Sequence, residues 1–300
     1  MRRSVNGKII LPLVAVVLIA ADFACSYRIL SPLISENRNN YPSIRFLDVG
    51  QGDAELVSFT NGAMVLTDAG PNGPAILGAL DPIFGKRGRS IDLVIVSQPS
   101  AAHFGGLSDV LDHYHVGAIV YNGRDAPPGV PAWAALLQKI SALKVPLITL
   151  GEGDSVRIGE KERIEIVSPG RERAESPELA DTGIVQLVQT RDFRAILAAD
   201  IGFGVENALV ARYGPSIRAD ILKVAHNGSK SSSGETFLSA VLPRTAVIEV
   251  GEKNSYHQPS PEAIARIASS TSAKVFRTDE DGTIEVFRAG EGTLSAKTAR

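Results

Sequence analysis

The stretch Ile91–Leu107, IDLVIVSQPSAAHFGGL, reads as a short apolar strand, a loop, a pair of glycines and the start of a helix. A loop between strand and helix stands at the edge of a sheet, where side chains from several strands meet. In this one, His103 is the single strong metal donor. Gln98 and Ser100 offer an amide and a hydroxyl, which are weak ligands, and Ala102 offers none. The loop alone leaves three readings open: a metal site, what is left of one, or a turn in which His103 caps the following helix.

Outward from it, the chain alternates strands and helices. SIRFLDV, AELVSFT and AMVLTDA are short β-branched and aliphatic runs separated by GQGD and NG, the pattern of an antiparallel meander. The helix-like GPAILGALDPIFGKRG follows. After the loop come the helix GGLSDVLDHYH, strand VGAIVY, helix PAWAALLQKISAL, strand PLITL and the hairpin SVRIGEKERIEIVS. The second half repeats this grammar through IVQLVQTRDFRAILAAD, GVENALVARYG, ADILKVAH, SGETFLSAVL, TAVIEVG and SPEAIARIAS, and closes on AKVFRT and GTIEVFR. Two β-rich halves with helices outside predict an α/β protein, a four-layer αββα sandwich.

The 300 residues, 44% hydrophobic, can bury a large core. Residues 1–26 stand apart: Arg2, Arg3 and Lys8 precede an apolar run from Ile9 to Ala21. That run has the length of a signal-peptide core and is short for a membrane span, so residues 1–26 are expected to be a signal peptide or an N-terminal membrane anchor. Cleavage after Ser26 and retention as an anchor both stay open. Export to the periplasm, or anchoring in the inner membrane with the domain outside the cytoplasm, is the expected location. Residues 27–42 read as a polar linker and 43–300 as the domain. Cys25, the only cysteine, leaves the domain without disulfides or thiolate ligands, so any metal must be held by His, Asp or Glu. A formal net charge of −2 argues against a dedicated nucleic-acid binder. P-loops, GxSxG elbows and CxxC pairs are absent from the sequence.

FLDVGQGDAELV, VLTDAG, SQPSAAHFGGL, ILKVAHNGSKSSS and VIEVGEKNSYHQPSPEAIARI followed by RTDEDGTIEV stand in the order and spacing of one family. From about Ser43 to Arg288 the chain resembles the metallo-β-lactamase-like domain of ComEC-type DNA-internalisation proteins. The resemblance implies the metallo-β-lactamase fold. It also implies a hydrolase, of nuclease or phosphodiesterase type, wherever the family's metal words are intact. Here they are not. Against the family's T-H-x-H-x-D-H-x-G-G, this loop has Gln98, Ser100 and Ala102, and only His103 remains. Asn227 takes the second place of a His-His-Gly-Ser word, and Gln258 stands in a histidine position with His257 displaced by one.

By the same resemblance, the surviving ligands are His103, Asp200 and His226, with His103 and Asp200 also the catalytic candidates and Ser229 and Lys230 the candidate substrate contacts. Asp48, Asp53 and Asp68 keep their family words and are either turn-formers or site-facing. His113 and His115 form an H-x-H pair that we assign to the surface near a helix end. Two readings compete. One is a non-catalytic or strongly impaired scaffold that binds an unknown ligand or protein at the edge cleft, with no cofactor. The other is a hydrolase using one divalent metal, zinc or manganese. Nucleic acid enters as a partner only through the resemblance, and the inner membrane only through an uncleaved N-terminal segment.

Overall fold

The computed structural model describes residues 41–85, 88–289 and 292–300, together with the backbone of strands 13–19 and 26–32. Among the described residues, one sheet has eight strands, in the order Leu147–Thr149, Ile119–Tyr121, Leu93–Ile95, Met64–Thr67, Glu55–Ser58, Ser43–Phe46, Ile284–Arg288, Leu294–Thr298. The expected meander is present: Ile44 pairs with Val57 and Leu56 with Leu66, both antiparallel. Leu66 then pairs parallel with Val94, which brings the strand of the opening stretch into the same sheet.

The other sheet runs Lys274–Arg277, Thr245–Ile248, Ile221–Lys223, Arg194–Leu197, Val185–Gln189, Glu162–Ser168, Ser155–Ile158, Leu13–Ile19, Ser26–Pro32. The last two strands fall within the stretches assigned above to an export segment and a linker. A run rich in Leu, Val and Ile suits a strand as well as a helix, and its backbone pairs antiparallel with Ser155–Ile158 on one side and Ser26–Pro32 on the other. The rest of residues 1–40, Cys25 included, lies outside the described residues, while the expected cleavage point after Ser26 falls at the start of the strand Ser26–Pro32. Among the described residues, no helix is long and apolar enough to cross a membrane.

Three apolar clusters show the layering. Ile44, Phe46, Val65 and Ile95 of one sheet pack with Val156, Ile164, Leu197 and Val247 of the other. Behind the first sheet, Leu66 and Val94 meet Ile76, Val110 and Leu136 from helices Gly73–Phe84, Leu107–His113 and Pro131–Ala142. Behind the second, Ile196 and Leu222 meet Val205, Leu238 and Ile267 from helices Phe203–Tyr213, Glu235–Val241 and Pro261–Ser270. This is the expected αββα arrangement. A turn of helix at Ala101–Phe104 and the closing strand Leu294–Thr298 were not expected, because each is too short or too polar to carry a periodic signal.

Candidate functional site

The parallel strands Leu93–Ile95, Arg194–Leu197, Ile221–Lys223 and Thr245–Ile248 end on one edge, which is where an α/β sheet presents its loops. Two glycines let those loops close on each other. A Cβ on Gly52 would lie 2.4 Å from the Ala102 carbonyl oxygen, and one on Gly106 would lie 2.3 Å from that of Ala69. Only glycine permits this approach. The contact is sealed by Asp53 N donating to Ala102 O at 3.2 Å and Ala69 N to His103 O at 2.6 Å.

His103, 1% exposed, is thereby set between two carboxylates. Its Nδ1 lies 2.7 Å from Asp68 Oδ2 and its Nε2 2.9 Å from Asp200 Oδ2. Asp68 is itself anchored, accepting from Ser97 N at 2.7 Å and Ser97 Oγ at 2.6 Å. The Gln98 amide donates to Asp200 Oδ2 at 2.7 Å and sits 2.8 Å from His103 Nε2. Burial alone would push the His103 pKa down, but the Asp200 and Asp68 carboxylates outweigh it and hold the imidazole well above its ordinary value. An imidazolium donates from both nitrogens, so Asp200 Oδ2 receives Nε2–H and the Gln98 N–H side by side. Burial would raise the Asp200 carboxyl, yet His103, Lys223 and His226 together bring it below the usual carboxylate range.

A second cluster lies beside the first. Lys223 is fully buried, in close contact with Asp53 Oδ2 and 3.0 Å from Ala199 O. Burial opposes its charge, but Asp53, Glu55, Asp200 and Glu249 raise its pKa, so it stays an ammonium. Asn227 completes the shell, its Nδ2 donating to Asp53 Oδ1 and to Glu249 O, both at 2.8 Å. Glu249 Oε1 accepts from Ala54 N at 3.1 Å. Burial, and then the charge of Asp53, push Glu249 up to about 8. Burial, and then Glu249, push Glu55 well above its ordinary value. Protons on these carboxyls reduce the negative charge that two cations must balance.

The structure thus brings His103 and Asp200 into contact. His226 joins them through its backbone, at φ 52° and with N donating to Ala199 O at 2.9 Å, and through its charge on Asp200. Lys230 is exposed, and its charge acts on Glu262. Its carbonyl, with those of Ser232 and Ser233, accepts from Arg266, so the GSKSSSG loop is clamped from the helix behind it. Ser229 Oγ accepts from Ser231 N at 3.3 Å within the same loop. Gln258 spends its amide on Gln51 and on His226 O, and His257 points from an exposed turn at φ 55°. His113 and His115 are exposed, His113 Nδ1 lying 2.8 Å from Asp109 O.

Sequence reading left Asp53 and Asp68 open and missed Lys223, Glu55 and Glu249. Their signal was present: a charged residue inside or at the end of an otherwise apolar run, as in AELVS, ILKVA and VIEVG, must be buried with a partner.

The donors that remain do not fit a two-metal centre. Ala102 has no ligand atom. Gln98 and Asn227 turn amide nitrogens toward Asp200 and Asp53, and Gln258 is hydrogen-bonded within the protein. Asp53, Asp68 and His103 do present ligand atoms within 4.8 Å of one another. In that set Asp53 is already paired with an ammonium, and both ring nitrogens of His103 face carboxylates.

Comparison with known proteins agrees with this frame. A family model described as the metallo-beta-lactamase superfamily matches residues 47–251. The chain is 29% identical over 275 residues to ComE operon protein 3 of Bacillus subtilis (strain 168), which covers 84% of this chain and 34% of that protein. It is 33% identical over 105 residues to competence protein ComA of Neisseria gonorrhoeae, 35% of this chain and 15% of that one. It therefore spans about a third or less of the length of these relatives. Among solved structures, an E377D mutant of CmlA beta-hydroxylase superposes with a TM-score of 0.55 at 10% identity, over 84% of this chain and 55% of that chain.

Proposed function

Because the chain belongs to the metallo-beta-lactamase superfamily and is related to competence proteins, we propose that it is a non-catalytic or strongly impaired member of the ComEC-type group. In this reading the edge cleft serves to bind a ligand or partner rather than to hydrolyse one. One observation carries it: the carboxylates that two metal ions would neutralise are met instead by Lys223, the His103 ring between Asp68 and Asp200, and the amides of Gln98 and Asn227. A metal-bound hydroxide needs a cation with an open position, and these groups give each of Asp53, Asp68 and Asp200 a protein partner, with Asp200 Oδ1 left without a hydrogen bond.

The competing reading is a single-metal hydrolase on His103, Asp200 and His226; what supports it is the buried Asp200 Oδ1, which has no hydrogen-bond partner beside His103, while the donors that converge within 4.8 Å are His103, Asp53 and Asp68. Metal analysis of chelator-free protein separates the two. We expect well under two equivalents of zinc or manganese and negligible hydrolysis of a generic phosphodiester. Two equivalents, or turnover abolished by Asp200→Ala, would overturn the non-catalytic reading. One equivalent, lost in His103→Ala and in His226→Ala, would establish the single-metal centre.

We further propose that the domain is exported, held at the inner membrane or released into the periplasm, on the strength of the basic Arg2, Arg3 and Lys8 before the Ile9–Ala21 run. A reporter fused after Arg300 that works only in the cytoplasm contradicts this.

A further inference from the structure

At the opposite end of the same parallel strands lies a second concavity, independent of the cleft. It measures about 410 Å³ and is lined by Arg218, Leu242, Pro243, Arg244 and the run Ser269–Ser272. Its walls are built on hydrogen-bonded backbone. Asp220 O accepts from Arg244 N at 2.8 Å and Thr245 N at 3.1 Å, Arg244 O accepts from Lys274 N at 3.0 Å, and Val241 O accepts from Ala219 N at 3.0 Å. Two guanidiniums therefore project from the starts of neighbouring strands that are hydrogen-bonded together.

Two helices, Glu235–Val241 and Pro261–Ser270, end at this pocket, and helix C-termini attract cations. That alone could account for arginines here. Several end carbonyls, however, already have donors. Leu238 O takes Leu242 N at 2.9 Å, Ile267 O takes Thr271 N and Thr271 Oγ1, and Arg266 O takes Ser269 Oγ. The nearby carboxylate, Asp220, is also occupied. Its Oδ2 accepts from Arg194 N at 3.1 Å, and its Oδ1 is 4.0 Å from Arg244 Nε, too far for a hydrogen bond. Among the described residues the Arg218 side chain has no partner. Arg194 and Lys274 add two more cations at this end of a chain whose net charge is negative.

We propose that this pocket binds a phosphate group. Two planar guanidiniums match phosphate oxygens bidentately, and serine and threonine hydroxyls complete such a site. The exposed Leu242, with Pro243 beside it, gives the remainder of the ligand an apolar wall. The group has two sources, a soluble phosphorylated molecule or a phospholipid headgroup, and the probes distinguish them. The full chain is titrated with inorganic phosphate and pyrophosphate by calorimetry, and co-sedimented with vesicles of phosphatidylglycerol or of phosphatidylcholine alone.

Saturable binding in either arm is expected, weakened roughly tenfold by Arg218→Ala or Arg244→Ala and further by both, since each charged hydrogen-bonding contact is worth about 1.4 kcal/mol or more. Arg→Lys at either position should fall between parent and alanine, because the charge stays and the fork goes. Asp200→Ala should leave binding unchanged, which separates this site from the cleft. Both arginines are exposed, so circular dichroism should show the parent fold in each arginine variant. Absence of saturable binding to all three phosphate-bearing probes, or equal binding by the double alanine variant, overturns the proposal.

Discussion

Around Lys223 the buried carboxylates are met by an opposite charge, whereas around Gln98 much of the same task falls to amides. The first region keeps the family's residues: Asp53 pairs with Lys223, and Asp68 with Ser97 and His103. Its one change is Asn227, which donates to Asp53, whereas the second region has changed at Gln98, beside Asp200, and at Gln258. Asp53 and Asp68 have protein partners whatever else is bound, so their loss would leave a neighbour buried and unpaired. In the family's arrangement the histidines replaced here face a metal, and amides that bridge their neighbours can take their places. Cost of removal, rather than closeness to the chemistry, separates the two regions.

The largest test of that difference is Lys223→Met. Removing one member of a buried ion pair while its partner stays charged costs about 3–5 kcal/mol. Urea unfolding should show a loss of that size or no soluble protein. The matched change Lys230→Met, at an exposed site, should stay within about 0.5 kcal/mol. Similar losses at both positions would mean that the buried pair is no better a scaffold than the surface.

An effect of similar size is the pH dependence of the buried charges. Glu249 is pushed up to about 8, so between the ordinary carboxyl value and that point the folded state binds a proton that the unfolded state has lost. Stability should therefore fall as pH rises through about 4.5 to 8, by up to about 1.4 kcal/mol per pH unit for one proton. His103 acts with the same sign. Its raised pKa gives stability that is full below its unfolded value and is lost as pH climbs through the folded one. Asp200 acts oppositely and only in acid, since its lowered pKa gives stability that disappears as pH falls. The optimum should lie on the acid side of neutrality, and Glu249→Gln should flatten the decline. Stability that rises from pH 5 to 9 would contradict this account of the cluster.

The fold was legible because period and punctuation were strong: alternation in the three meander runs, glycine and proline between segments, and whole family words at the strand ends. The site was half legible. Gln98, Ala102 and Asn227 could be read as lost ligands, because the resemblance says where the family's ligands stand and chemistry says what an amide or a methyl cannot do there. What replaced the metal could not be read the same way. Lys223, Glu55 and Glu249 are distant in sequence, and their meeting depends on the register of three strands. Asp68 was ambiguous because an aspartate beside a glycine serves turns and sites equally. The phosphate pocket left no word at all, since Arg218, Arg244 and Ser269–Ser272 come together only where three strands begin.

The finest distinction falls on Ala199, the residue before Asp200, where the resemblance implies a glycine. Its φ is 47°, in the left-handed region that costs a residue with a Cβ about 1 kcal/mol. Its carbonyl must accept both Lys223 Nζ and His226 N, so the turn cannot relax without loosening both clusters. Ala199→Gly removes that strain and gives up a buried methyl 3.4 Å from where a Cβ on Gly183 would stand, together with some entropy of the unfolded chain. The terms oppose each other, so the variant should stay within about 0.5 kcal/mol of the parent. Ala198, equally buried and outside the left-handed region, has no strain to release. Ala198→Gly should therefore cost about 1 kcal/mol or more. Equal losses at the two positions in denaturant unfolding would show that the left-handed turn at Ala199 carries no strain, and that this substitution belongs with the neutral changes of the second region.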